Sequence, residues 1–200
     1  MQMIERKVFP TLIGQFEEVL FKEQCEELIS SIDSSPMKRY GALTGDSKTS
    51  FITYVNILNS IPENLSFIVR MKINTCIDQY IRATNFNTCS VENVWMSYQY
   101  PHSKLVKHSH PGSHISGVLY LKADEKSSPI YFYNPNPFIS FTTILDKSNE
   151  YGCDYLKFKP NTGTMLIFPS WLSHGSGEDE NMSEERIILS FNTKENSIGN

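Results

Sequence analysis

The sequence predicts a mainly β protein with helices at its N-terminal end, an α+β chain in which two helices brace a double-stranded β-helix of the jelly-roll (cupin-like) type. Three observations predict it. Apolar residues recur at helical spacing in the first third of the chain. From about residue 91 the pattern changes to short stretches rich in β-branched and aromatic residues. Clusters of turn-forming residues separate those stretches, and 10 Tyr and 12 Phe among 200 residues also favour strands.

The first helix is expected where Phe16, Val19, Leu20, Leu28, Ile29 and Ile32 recur, with Ser34-Ser35-Pro36 closing the pattern. Residues 51–55, Phe-Ile-Thr-Tyr-Val, read as a short strand. A second helix follows. Ser60 and Glu63 resemble a capping box, Pro62 suits a first-turn position, and Leu65, Ile68, Val69, Ile73, Cys76, Ile77, Tyr80 and Ile81 form one apolar stripe that reads as a core face. Strands are expected at 91–100, 115–121, 130–133, 151–158, 165–168 and 187–191. Between them lie Pro111-Gly112, Ser127-Ser128-Pro129, Asn134-Pro-Asn-Pro137 and Pro160-Asn161-Thr-Gly163. Helices before strands place the helices on one sheet. The expected organisation is one domain over residues 1–200, helical to about 88 and jelly-roll from about 89 to 193.

A net charge of −4 with no basic block argues against tight, nonspecific binding to nucleic acid. The opening MQMIERKVFPTLIG lacks the apolar core of a secretory signal, and no run of about 18 apolar residues occurs, so a cytoplasmic location is expected (a host cytoplasm if the chain is phage-encoded). Cys25, Cys76, Cys89 and Cys153 form no CxxC pair and read as buried, reduced thiols. The oligomeric state is not legible.

The chemistry concentrates in the histidines. Four of the five, His102, His108, His110 and His114, fall within thirteen residues, and His174 stands alone after an apolar strand. In an extended KHSH segment His108 and His110 project to the same side, so both imidazoles reach one metal ion. A third ligand must come from a neighbouring strand, and His174, at the end of TMLIFPSWLSH, fits that need. Such a set suits Zn, Fe, Ni or Cu, and composition does not choose among them. His114 is an alternative to His110 if the strand runs on, although Pro111-Gly112 argues for a break. His102 reads as a surface residue and Glu178-Asp-Glu180 as a solvated turn. Trp95 and Trp171 read as core residues. Residues 134–150 read as a loop at the entrance.

Arg186 opens the apolar strand RIILSFN and shares one face with Ile188 and Ser190. An inward guanidinium is costly unless it meets an anion, and its fork matches a carboxylate. Pointing inward, Arg186 with Ser190 beside it would seize the distal carboxylate of a dicarboxylate. The alternative is an Arg186 at the strand mouth, solvated and paired with Glu184 or Glu185.

The order HxH, SGVLYLK, GTMLIFPSWLSH, ERIILSFN, over about residues 91–192, resembles the 2-oxoglutarate/Fe(II)-dependent oxygenase superfamily, in a bacterial and phage-type branch related to the prolyl hydroxylases. The resemblance implies a dioxygenase that uses Fe(II), 2-oxoglutarate and O2. Such an enzyme hydroxylates an unactivated C–H bond, peptidyl (such as prolyl) or in a small molecule, and releases succinate and CO2. It implies His108, His110 and His174 as the metal and catalytic residues. It further implies Arg186 as anchor of the 2-oxoglutarate C5 carboxylate, with Tyr120 and Ser190 beside it and Tyr98 or Tyr100 as a further contact. Ser116, Val118 and Tyr120 would face inward. The chain departs from the superfamily at one position: the carboxylate of the usual HxD or HxE is His110, which leaves the bound iron with one more positive charge. Two other readings stay open, a cupin-like metal enzyme without 2-oxoglutarate and a non-enzymatic metal-binding or structural module.

Overall fold

The computed structural model of the chain describes residues 3–4, 10–53, 56–138 and 152–196. Its elements are, in chain order, β1 (Gly14–Phe16), α1 (Lys22–Ser30), β2 (Leu43–Thr44), β3 (Ser47–Thr49), a 3-10 turn (Ile57–Ser60), α2 (Glu63–Thr84), β4 (Cys89–Gln99), β5 (Lys104–Leu105), β6 (Ile115–Lys122), β7 (Ile130–Tyr133), β8 (Tyr155–Phe158), β9 (Met165–Pro169), β10 (His174–Gly175) and β11 (Arg186–Glu195). The strands form a six-stranded antiparallel sheet in the order β1-β9-β6-β11-β4-β3, a three-stranded sheet β10-β7-β8 and the pair β2-β5. This is the jelly-roll arrangement expected from the sequence.

The large sheet divides two cores by simple alternation. Leu119 and Leu121 of β6, Ile187, Leu189 and Phe191 of β11, and Val94, Met96 and Tyr98 of β4 face the helices. There they meet Leu28 of α1 and Leu65, Val69, Ile73 and Tyr80 of α2. Val118, Tyr120 and Ile188 face the other way and pack with Leu166, Phe168, Ile130 and Phe132 between the sheets. Period-two alternation thus fixes which residues of β4, β6 and β11 line the interior.

Three local expectations are corrected. Phe16 lies in β1, paired with Met165 of β9, and α1 begins only at Lys22. Pro62, not Ser60, caps α2, because the Ser60 hydroxyl donates to the Ile57 carbonyl at 2.7 Å and closes the 3-10 turn instead. Residues 51–53 form a turn after β3 rather than a strand, and Tyr54 and Val55 lie outside the described residues. The N-terminal part therefore contributes sheet as well as helix.

Candidate metal centre

His108 and His110 project from an extended segment that runs antiparallel to residues 170–174. The His108 amide donates to the His174 carbonyl and the His174 amide to that of His108, both at 2.9 Å, and the His110 amide donates to the Ser170 carbonyl at 2.9 Å. Gly175 permits this approach, since a Cβ there would stand 2.8 Å from the Leu105 carbonyl oxygen. Directly after His110, a turn closed by the Ser113 amide on the His110 carbonyl at 3.2 Å, with Gly112 at φ 87°, reverses the chain. A residue with φ in that range is favourably glycine. His114 consequently leaves the cluster and packs its ring 5.4 Å from that of Phe86.

His108, His110 and His174 each bring a ring nitrogen to a common point, these atoms lying within 4.8 Å of one another. The Nε2 atoms of His110 and His174 are 3.3 Å apart. Two nitrogens at metal–nitrogen distances of about 2.1 Å, subtending a right to tetrahedral angle, would be separated by about 3.0–3.4 Å. His108 Nδ1 donates to the Val106 carbonyl and His174 Nδ1 to the Leu172 carbonyl, each at 2.8 Å. Each bond leaves the Nε2 lone pair free and fixes the ring. The His110–His174 pair therefore fits one first-row divalent cation, with His108 beside it as a third donor.

Burial pushes His110 down to about 4 and His174 to about 3, in each case with the His108 imidazole as the next cause, and burial also lowers His108. The rings are therefore neutral at neutral pH. The unfolded chain takes up protons on them from about pH 6.5 downward, while the fold resists to about pH 4. Stability of the metal-free protein is therefore complete above the unfolded value and is lost as pH falls through that window. The slope is about 1.4 kcal/mol per pH unit for each resisting imidazole. Urea denaturation of metal-free protein between pH 7 and 5 checks this, and a flat profile would contradict it.

The opposite end of the same cavity, of about 410 Å3, holds Arg186. Its side chain is buried, 4 % exposed, on the inner face of β11, and Glu185 pairs instead with Lys122 at 2.9 Å. The solvated-mouth alternative is thereby overturned. Among the described residues no carboxylate pairs with Arg186. Its Nη1 donates to Gln99 Oε1, and its guanidinium carbon lies 5.3 Å above the Tyr120 ring centre. Burial holds the guanidinium below its ordinary range and raises the Tyr120 hydroxyl. The nearby guanidinium offsets part of that rise. Arg186 Nε, Gln99 Nε2 and the Tyr120 oxygen are buried and have no full hydrogen-bond partner among the described residues. A cluster of unmatched donors around one cation is costly unless an anion completes it.

Tyr120, Ser190, Ser116, Val118, Ile188 and Arg186 all line this cavity, as their strand parity requires. Tyr98 and Tyr100 do not; Tyr98 packs in the helix-side core and Tyr100 against it. Gln99, between them, points inward with Trp95 and Ser97. Sequence reading missed Gln99, although the apolar Val94, Met96 and Tyr98 already assigned the alternate positions of β4 to the cavity.

Beyond the histidines the wall is aromatic: the rings of Tyr40 and Phe51 lie 5.0 Å apart, Phe51 and Trp95 5.0 Å, and Trp95 and His110 6.1 Å. Trp95 is thus a cavity residue rather than core, and Trp171 is 53 % exposed, again against expectation. His102 is exposed and meets Glu180 at 2.8 Å. Asp179 pairs with Lys157 at 3.0 Å and accepts from the Tyr131 hydroxyl at 2.7 Å, so the acidic turn is held by partners rather than only solvated. Of the expected entrance loop, Asn134–Phe138 is described, and 139–150 lies outside the described residues.

Residues 93–192, half of the chain, match the family model described as "Putative 2OG-Fe(II) oxygenase". The chain belongs to this family. These oxygenases use Fe(II), 2-oxoglutarate and O2. No curated protein matches the oxygenase sequence. Solved structures share its fold. The viral collagen prolyl hydroxylase of Paramecium bursaria Chlorella virus-1, solved with 2-oxoglutarate, is 17 % identical at a TM-score of 0.58, covering 90 % of this chain and 94 % of that one. HygX from Streptomyces hygroscopicus, with nickel and 2-oxoglutarate bound, is 10 % identical at a TM-score of 0.67, covering 94 % and 84 %. A Pseudomonas putida prolyl-4-hydroxylase is 11 % identical at a TM-score of 0.63, covering 94 % of each chain. Among the described residues of the oxygenase, no helix is long and apolar enough to cross a membrane.

Proposed function

We propose that this oxygenase couples oxidative decarboxylation of 2-oxoglutarate, with release of succinate and CO2, to hydroxylation of an unactivated C–H bond in a peptidyl or small-molecule substrate. The observation that carries the reading is the pairing, in one cavity, of three imidazoles facing a common point with a buried guanidinium that no carboxylate among the described residues pairs with. His108, His110 and His174 would hold iron(II) through Nε2, each ring kept in place by its Nδ1 contact. Arg186 would bind the C5 carboxylate of 2-oxoglutarate, with the free donors of Gln99 and Tyr120 completing its hydrogen bonds and Ser190 on the same strand face. When bound, iron(II) supplies the activation of O2 that no side chain provides.

The protein's part is positioning and exclusion of water. Ile188, Val118, Phe168 and Ile130 wall the middle of the cavity and keep the cosubstrate in an apolar sleeve between the two polar ends. A low-dielectric sleeve strengthens the Arg186–carboxylate contact. The substrate would enter along Tyr40, Phe51 and Trp95, where the described lining carries no carboxylate and so offers no counter-charge to a cationic group. Among the fold relatives, three are named as prolyl hydroxylases and HygX has been solved with hygromycin B bound, so both peptides and small molecules belong in the assay.

A coupled succinate assay across peptide and metabolite pools, with iron(II) supplied, tests the reading. Succinate release that requires both iron(II) and 2-oxoglutarate is expected. Turnover of a substrate unaffected by omitting 2-oxoglutarate would favour a cupin-like enzyme. Protein that gains no thermal stability from iron(II) or manganese(II) would favour a non-enzymatic module, because a ligand of the native state stabilises it by mass action.

A further inference from the structure

Asn192 stands on β11 opposite Ser116 of β6 and is 6 % exposed. Its amide Nδ2 faces His110 Nδ1 at 3.2 Å. Its Oδ1 accepts from the Ser116 hydroxyl at 2.7 Å, and the Ser116 and Ser170 hydroxyls lie 2.7 Å apart. The chain Ser170–Ser116–Asn192–His110 is buried at its first three members and continues, through the 3.3 Å contact of Nε2 atoms, to His174. His108 and His174 differ from His110 in one respect: backbone carbonyls, which only accept, fix their tautomer. His110 is held by a group that can donate or accept.

We propose that Asn192 is a positioning residue for the metal centre and that this chain of hydrogen bonds reverses its polarity when metal binds. The inference rests on the ligand set proposed above. Without metal, Ser170 donates to Ser116, Ser116 to Asn192 Oδ1, Asn192 Nδ2 to His110 Nδ1, and His110 Nε2–H to the lone pair of His174 Nε2. A cation at the common point needs the His110 Nε2 lone pair, so one proton leaves Nε2, one is taken up at Nδ1, and the ring stays neutral. His110 Nδ1–H then donates to Asn192 Oδ1, Asn192 Nδ2 donates to Ser116, and Ser116 donates to Ser170. The amide accomplishes this by a half-turn that exchanges two groups of nearly equal size. The three bonds that join Ser170, Ser116, Asn192 and His110 are kept in both states, and only the His110–His174 bond is exchanged for contact of both Nε2 lone pairs with the cation. Asparagine suits this position because neither an apolar residue nor a pure acceptor serves both forms.

The test measures metal affinity by calorimetry with manganese(II), and the His110 tautomer by 15N imidazole shifts with and without zinc(II). Asn192→Leu is expected to weaken manganese(II) binding about 10- to 100-fold, the usual cost of removing a partner that orients a metal-bound histidine. Asn192→Asp, which only accepts, favours the metal-bound tautomer and is expected to bind at least as tightly as the wild type. Wild-type His110 should change from the Nε2–H to the Nδ1–H form on zinc binding. Affinity within twofold of wild type in Asn192→Leu, weakening in Asn192→Asp equal to that in the leucine variant, or a His110 tautomer that does not change would each overturn the proposal. Should the leucine variant fail to fold, the aspartate variant and the wild-type spectra still decide. Failure of the ligand set itself has a different signature: His110→Ala would bind manganese(II) as tightly as the wild type.

Discussion

His174→Ala is expected to abolish metal binding while leaving a folded protein. The two remaining imidazoles belong to one segment and offer a cation only two ligands, one short of the three that open catalytic sites use. The substitution also removes the acceptor facing His110 Nε2 and the 2.8 Å bond to the Leu172 carbonyl. Leaving a buried carbonyl unmatched costs about 1–3 kcal/mol, so the metal-free variant should melt at a lower temperature than the metal-free wild type. The decisive comparison is the response to manganese(II). Wild-type protein at about 100 times the dissociation constant gains about 2.7 kcal/mol, and the variant should gain nothing. A metal-induced rise in melting temperature that survives the substitution would show that the ion sits elsewhere.

Arg186→Met is expected to separate stability from function. The guanidinium is buried, its nearest partner is the neutral Gln99, and no carboxylate among the described residues offsets its charge. Replacing a buried ion by an apolar side chain of similar length is often neutral or stabilising by about 1–4 kcal/mol. Removing one partner of a desolvated charge pair typically costs about 2–5 kcal/mol of binding. The variant should therefore melt no lower than the wild type without ligand, bind manganese(II) unchanged, and lose at least about 30-fold in 2-oxoglutarate affinity, the lower end of that cost. Calorimetry on metal-loaded protein measures the loss. Unchanged 2-oxoglutarate affinity would remove the cosubstrate assignment for this end of the cavity.

Much of this arrangement was legible in the sequence because it follows from period-two alternation. The spacing of His108 and His110 and the shared face of Arg186, Ile188 and Ser190 need only an extended backbone, and the structure supplies it. β4, β6, β7, β9 and β11 were visible for the same reason and β8 in part, its strand beginning only at Tyr155, whereas the two-residue β10 was not. What escaped was set by contacts distant in sequence. β1 is too short for its pattern to show, and Phe16 is drawn into the sheet by pairing with Met165 rather than into a helix by local preference. Ser60 satisfies its hydroxyl within its own turn, which no spacing rule anticipates. Gln99 was passed over in favour of its aromatic neighbours because the resemblance suggested a tyrosine, whereas the register of β4 against β11, with Gln99 opposite Arg186, decides which side chain faces inward. Asn192 was likewise invisible: its role depends on Ser116, 76 residues away, and on His110, 82 residues away.

The most direct test is an anaerobic titration of metal-free protein with iron(II) and then 2-oxoglutarate, followed by visible absorption. A charge-transfer band arises only when the keto and carboxylate oxygens of a 2-oxo acid chelate iron(II). One equivalent of each should produce that band in the wild type, His174→Ala should give none, and Arg186→Met should need a much higher 2-oxoglutarate concentration. A wild-type protein that takes up iron(II) yet shows no band at saturating 2-oxoglutarate would contradict the function proposed for this site.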